Sequence, residues 1–275
     1  MNHKLIEENV QPKDMPYLSP SSINLFIKEP ALWVMKHFFG QTGIFGIYAM
    51  RGVAIEDGVN AFVSGACKED AAMHALDNFS EKAFSWADTD LLETLESQMY
   101  DWTLKAIEAL QATASGGRIT MQKELDSELF GFPIRGFLDY ETETLDIDLK
   151  TCNTLPTVVT RGDRKGFLSK SKADNVRQQA IYNAVTGKET ALLYVAPDGF
   201  MSHTILQEEI DEIMPSVEEA LEKIKYLLTL PISGVIKESQ PNWKSMEYGF
   251  FWDDNLRALA NHLWAKYKPE GGKEL

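Results

Sequence analysis

Cysteine is nearly missing from this chain: Cys67 and Cys152 are the only two in 275 residues. They lie far apart and in no metal-ligand spacing. That argues against a disulfide framework and for a reducing compartment, so a cytoplasmic protein is expected. Long apolar runs are missing too; nothing approaches the roughly 18 consecutive apolar residues of a membrane span, and no membrane partner is expected. The opening Met1-Asn-His-Lys-Leu-Ile-Glu-Glu-Asn9 has neither the apolar core of a signal peptide nor the basic character of a transit sequence. The histidines (His3, His37, His74, His203 and His262) show no ligand spacing to one another. No glycine-rich phosphate loop opens a helix, which leaves an ATPase motor unsupported. Ser19-Pro20-Ser21-Ser22 lacks the nucleophile-elbow pattern of a serine hydrolase. Basic charge is scarce as well: 27 Lys and Arg stand against 41 Asp and Glu, for a net charge of −14. A broad basic footprint for nucleic acid is therefore excluded.

What is present is ample core material, 44% hydrophobic residues, patterned as helices followed by strands. Ser19 or Ser21 can cap a helix over 23–39, with Gly40 just past its end and Pro30 kinking or splitting it. Further helices are expected over 50–63, 69–86 and 90–113, the last capped by Asp88 or Asp90. Gly116-Gly117 then breaks to strands over 119–130, 131–141 and 145–151. Asp174 can cap a helix to Val185, ended by Gly187. Strands at 191–196 and 202–207 flank the Pro197-Asp198-Gly199 turn, and helices are expected over 208–230 and 253–267. This order predicts an α/β fold: a mixed β-sheet flanked by helices, with a helical N-terminal region.

Chemistry concentrates on the middle strands. In the 145–151 strand Leu145, Ile147 and Leu149 alternate with Asp146, Asp148 and Lys150. Burying the apolar set leaves two acids and a lysine lined up on the other face. The Glu143-Thr144 turn brings Asp139 of the preceding strand opposite Asp148. Two convergent carboxylates form a hard-oxygen site suited to Mg²⁺ or Mn²⁺, and a lysine one pleat away can orient a water or offset phosphate charge. Asp146 shares the face of Asp148 and is its rival, expected to be solvated at the strand's start.

The segments Gly136-Phe-Leu-Asp139, Asp148-Leu-Lys150 and Gln178-x-x-x-Tyr182 together resemble the PD-(D/E)XK nuclease superfamily, in particular its RecB-like and phage λ-exonuclease-like branch. Upstream, Arg51-Gly52-Val-Ala-Ile-Glu56 resembles that branch's first motif, in which a helix supplies one more metal ligand; Glu56 matches better than Asp57. Tyr17-Leu-Ser19-Pro20-Ser21-Ser22-Ile23 is similar to the opening of such domains. The resemblance implies a metal-dependent DNA exonuclease of DNA replication, recombination or repair. One or two Mg²⁺ or Mn²⁺ ions would be held by Glu56, Asp139, Asp148 and the Leu149 carbonyl. Lys150 would act catalytically, and Gln178 and Tyr182, stacked on one helix face, would border the site. Some relatives carry an iron–sulfur cluster on four cysteines; with two cysteines and Glu29 before Pro30, no such cluster is expected here.

The resemblance spans about residues 17–190 and implies a single nuclease domain over 17–267: a helical part (17–115), a catalytic sheet core (116–210) and C-terminal helices (208–267). An extension (1–16) precedes it and a polar, flexible tail (268–275) follows. DNA remains compatible with the acidic composition because charge is uneven. Arg161, Arg164, Lys165, Lys170, Lys172 and Arg177 face only Asp163 and Asp174 in 157–179. That local basic track beside the motifs would carry backbone phosphates. Partners expected with DNA ends are a single-strand-binding protein, a recombinase or a helicase. Two other readings stay open, a non-catalytic nuclease-fold DNA-binding or assembly subunit and an RNA endonuclease. The six tryptophans are read as core anchors more readily than as base-stacking platforms.

Overall fold

The computed structural model describes residues 15–43, 46–86, 88–249 and 252–267. The expected tail, and all but the last two residues of the expected N-terminal extension, lie outside the described residues. Contacts divide the chain into two compact units. One draws on Met1–Ile44, Glu128–Arg135 and Pro215–Leu275, the other on Phe45–Ser127 and Gly136–Met214. All the candidate site residues fall in the second.

In the first unit Pro30 splits the expected helix. Helix α1 (Pro20–Lys28) is capped by Ser19, whose Oγ accepts from Ser22 N at 3.1 Å. Glu29 leaves helical geometry and Pro30 opens α2 (Pro30–Phe39), where its missing N–H costs nothing. Gly40 ends α2 at φ 67°, the left-handed cap that glycine adopts without penalty. Trp33 Nε1 donates to Ser22 Oγ at 2.9 Å inside this unit. Beyond α7 (Gln207–Leu228), three short helices follow late in the chain, α8 (Ile232–Glu238), α9 (Trp243–Tyr248) and α10 (Asp254–Leu263). Trp252 and Trp264 are buried, and Trp264 Nε1 donates to Ile236 O, so these rings anchor the core.

The second unit opens with α3 (Ile47–Val63), α4 (Lys68–Ala83) and α5 (Thr89–Thr113). Asp88 caps α5 by accepting from Leu91 N at 3.1 Å. The sheet that follows runs in the order β1 (Thr120–Leu129), β2 (Phe132–Glu141), β3 (Leu145–Thr151), β4 (Glu189–Ala196) and β5 (Gly199–Thr204). Strand β3 is antiparallel to β2 and parallel to β4, whose antiparallel neighbour is β5. The parallel pair needs a crossover, supplied by α6 (Ala173–Thr186). The result is the expected α/β fold, a mixed sheet flanked by helices behind a helical region.

Burial explains why β3 tolerates such a mixed sequence. Ile147 and Leu149 pack with Ile55, Val59, Ile107 and Tyr140 into a core between the sheet and α3, α4 and α5. The opposite face is also covered: Val176 and Ala180 of α6 pack with Leu192 and Tyr194 of β4. Asp146 and Asp148 are thus enclosed, at 0% and 2% exposure. The two acids of that face are therefore buried, with Lys150 beyond them only partly so. Asp146 in particular is not solvated: its Oδ2 accepts from Thr186 Oγ1 at 2.7 Å.

Candidate active site

Strand pairing makes the first contact. The register Tyr140↔Ile147, carried one residue on, sets Asp139 across from Asp148. Asp139 Oδ2 accepts from the Leu149 backbone N–H at 3.0 Å. This fixes the carboxyl against the peptide whose carbonyl is the remaining expected ligand. Lys150, two residues along β3, places Nζ 2.6 Å from Asp148 Oδ2. Helix α6 covers this face and offers Gln178, whose Nε2 donates to Asp148 Oδ1 at 3.0 Å. One turn on, Tyr182 OH donates to the Phe137 carbonyl at 2.9 Å. Gln178 therefore grips a carboxylate of the cluster, while Tyr182, 5% exposed, ties α6 to β2.

Glu56 arrives from α3. The helix can come close because Gly52 has no side chain: a Cβ there would stand 3.3 Å from Thr151 Oγ1. Glu56 lies within electrostatic range of Lys150 and Asp148, and its Oε1 accepts from Gln122 Nε2 at 2.6 Å. Asp57, the alternative, looks away; its Oδ2 is taken by Asn78 Nδ2 at 2.5 Å and Lys82 Nζ at 2.9 Å. Gln179, the neighbour of Gln178, is fully buried.

The electrostatics are those of an acid cluster short of positive charge. Burial first, and repulsion from Asp148 second, lift Asp139 well above the usual carboxylate range. Burial likewise raises Asp148 and Glu56, against the pull of Lys150. For Lys150 burial works the other way, but Asp148 and Asp139 outweigh it and hold the ammonium above its ordinary value. Burial pushes Tyr182 up to about 12, so it is a neutral donor at physiological pH.

Three carboxyls thus lie within electrostatic range of one ammonium in a partly desolvated cluster. Protons or a divalent cation would balance that deficit, and an all-oxygen donor set is of the kind that Mg²⁺ or Mn²⁺ selects. Among the described residues no three acidic, histidine or cysteine side chains are gathered into a ready coordination shell. The counter-charge on Asp148 is Lys150 itself.

The basic segment forms a hairpin-like loop between β3 and α6, closed by the Val158↔Leu168 bridge and by Val159 N to Phe167 O at 2.8 Å. Arg161, Lys165 and Lys170 are exposed, and Lys172 is half-buried over the Tyr194 ring. Arg164 is committed to Glu212 at 3.0 Å. Arg177 departs from expectation: it is 7% exposed and paired with Asp174 at 3.1 Å, which removes it from an open phosphate track. Asp174 accordingly serves as that partner inside the first turn of α6 and not as its cap. Sequence reasoning missed two more residues. Gln122 carried no spacing signal. Arg51 stood in a quoted motif without a role; it is buried, stacks over Trp102 at 4.1 Å and donates to Asn153 Oδ1 at 2.8 Å.

Fold and site together define a mixed-sheet α/β protein with an acid–lysine cluster on the β2–β3 hairpin, completed by a helix acid. No protein-family model matches the chain, and no curated protein matches it. Among solved structures it is similar to that of a "putative exonuclease" from Eubacterium rectale, with a TM-score of 0.55 and 16% identity over 81% of this chain and 83% of that one. At that identity the likeness speaks for the fold alone. A second solved structure, of SSO0001, is 16% identical over 68% of this chain and 91% of its own, with a TM-score of 0.30 that carries no argument. Among the described residues no helix is long and apolar enough to cross a membrane.

Proposed function

We propose that this chain is a Mg²⁺- or Mn²⁺-dependent nuclease of the RecB-like PD-(D/E)XK kind, acting on DNA as an exonuclease. The observation that carries the reading is the placement of Asp139, Asp148 and Lys150 together on two paired strands, with Glu56 of a helix within electrostatic range of Asp148 and Lys150. The fold shared with the Eubacterium rectale protein supports it. Glu56, Asp139, Asp148 and the Leu149 carbonyl are the groups that would hold the ion. When bound, such an ion makes water a stronger nucleophile and offsets charge on the phosphate.

The chain's own residues supply the rest. Lys150 stays protonated, so it orients the attacking water and donates to the phosphate oxygens as negative charge builds on them. A water oxygen–phosphorus bond forms as the bond to the leaving oxygen breaks; the water's proton passes to solvent and the leaving oxygen takes one up. Gln178 keeps Asp148 in place, and Tyr182 holds β2 through the Phe137 carbonyl. Arg161, Lys165, Lys170 and Lys172 are the cations that would meet backbone phosphates of a DNA end. A single-strand-binding protein, recombinase or helicase would be the natural collaborator of such an end.

The test is cleavage of end-labelled linear single- and double-stranded DNA and of closed circular DNA, with Mg²⁺, Mn²⁺ or EDTA. Asp148→Ala and Lys150→Ala are run alongside. Metal-dependent release of short products from linear DNA by wild type, lost in both variants while circular dichroism is retained, is the expected result. Wild-type cleavage by Asp148→Ala would sink the assignment, and equal cutting of closed circles would sink the exonuclease part.

A further inference from the structure

Gln122 has two properties that are independent of the motifs. Its backbone lies at φ 49°, a left-handed conformation, inside strand β1. Outside glycine this conformation costs free energy, and it persists only where the surroundings hold it. Its side chain spans 66 positions of sequence to donate Nε2 to Glu56 Oε1 at 2.6 Å.

The neighbour makes the choice of residue informative. Lys123 also reaches an acid, Glu141, at 2.7 Å, and Glu141 is shared with Lys188 at 2.6 Å. Consecutive residues of β1 therefore treat two acids differently. Glu141 receives cations that neutralise it. Glu56 receives an uncharged amide that fixes an oxygen and leaves the negative charge available. At Glu56 an amide leaves the charge open to a cation, whereas a lysine in the position of Gln122 would compete with the ion.

We propose that Gln122 is a positioning residue for Glu56, and that the left-handed backbone at Gln122 is maintained to deliver its amide to that carboxylate. This rests on the reading of Glu56 as a cation ligand. It adds a residue outside the acid, lysine and Gln178/Tyr182 elements, with a function that can be separated from stability. Glycine at 122 would relieve the backbone and remove the amide together. A residue kept only for the fold would make Gln122→Gly less stable, whereas a positioning residue makes it as stable or more stable and functionally poorer.

The experiment compares wild type, Gln122→Gly, Gln122→Ala and Asp148→Ala. Its readouts are the thermal midpoint in EDTA, the Mn²⁺ dissociation constant by titration calorimetry with the metal alone, and kcat and KM on linear DNA. Expected for Gln122→Gly are an unchanged or raised midpoint, Mn²⁺ affinity weaker by roughly tenfold, and a lower kcat at similar KM. Gln122→Ala keeps the backbone strain and should match the loss in affinity with a lower midpoint than the glycine variant. Unchanged Mn²⁺ affinity in Gln122→Gly, or a midpoint that falls below that of Gln122→Ala, overturns the inference while leaving the nuclease reading intact. Failure of wild type to bind Mn²⁺ in an Asp148-dependent way overturns both.

Discussion

Replacing Gly58 with alanine adds one methyl where there is no room for it. Gly58 sits on α3, two residues after Glu56. A Cβ there would lie 2.8 Å from Ala71 O, 2.8 Å from Ala75 Cβ and 2.8 Å from Thr103 Cγ2. Ordinary carbon contacts are about 3.5–4.0 Å, so relief requires displacements of about 0.7–1.2 Å. None of the three atoms is the end of a long side chain that could swing away; one is backbone, one a Cβ, and one a methyl on a Thr103 that is fully buried. The strain therefore moves α3 away from α4 and α5, at a cost of about 1–3 kcal/mol for overpacking. Alanine returns up to about 1 kcal/mol in helix propensity over glycine. The net expectation is a loss of about 1–2 kcal/mol, since the contact is three-sided. Urea denaturation followed by circular dichroism measures it, and Mn²⁺-induced stabilisation of the same variant reports whether Glu56 has been carried out of position. A Gly58→Ala protein as stable as wild type would show that the helices have slack, and would refute the close packing from which Glu56 is placed.

Glu209 offers a test of acid behaviour away from the cluster. It is 3% exposed and accepts from His203 Nε2 at 2.8 Å, Leu168 N at 2.8 Å and Leu206 N at 3.1 Å. Burial alone would raise its pKa, but these hydrogen bonds win and lower it. The stability it contributes is then full above the ordinary value of about 4.3 and is lost as pH falls through the lower folded value. Glu209→Gln should be less stable than wild type by about 1.5–3 kcal/mol at pH 7, with the gap closing below about pH 4; a constant gap in denaturation midpoints across that range would contradict it. The exposed loop cations predict a salt effect. Arg161→Ala with Lys165→Ala should weaken DNA binding regardless of sequence and lower the slope of log affinity against log salt by about two, and an unchanged slope in a binding titration would remove the loop from the DNA path.

The elements legible in the sequence were those with local causes. Ser19 and Asp88 mark helix starts because a short side-chain oxygen satisfies free backbone donors there, and Pro30 splits a helix because proline lacks the donor. The alternation in 145–151 placed Asp148 and Lys150 on one face, since a strand repeats every two residues. Pairing across a tight turn then set Asp139 beside them. What the local pattern could not state was the second layer. Alternation tells which residues share a face and not whether a helix covers it, so Asp146 was expected in water and is enclosed, holding Thr186. Arg177 counted as a free cation in composition, yet the helical repeat turns it inward to Asp174.

Sequence by itself thus determined the order of elements, the α/β class and the identity of the acids and the lysine, because propensity, capping and periodicity act over a few residues. Tertiary structure alone decided that Gln122 reaches the cluster from β1. It also decided that the carboxyls are raised by burial and mutual repulsion. Those properties depend on distance and dielectric between segments far apart in the chain, and no spacing along a single strand or helix encodes them.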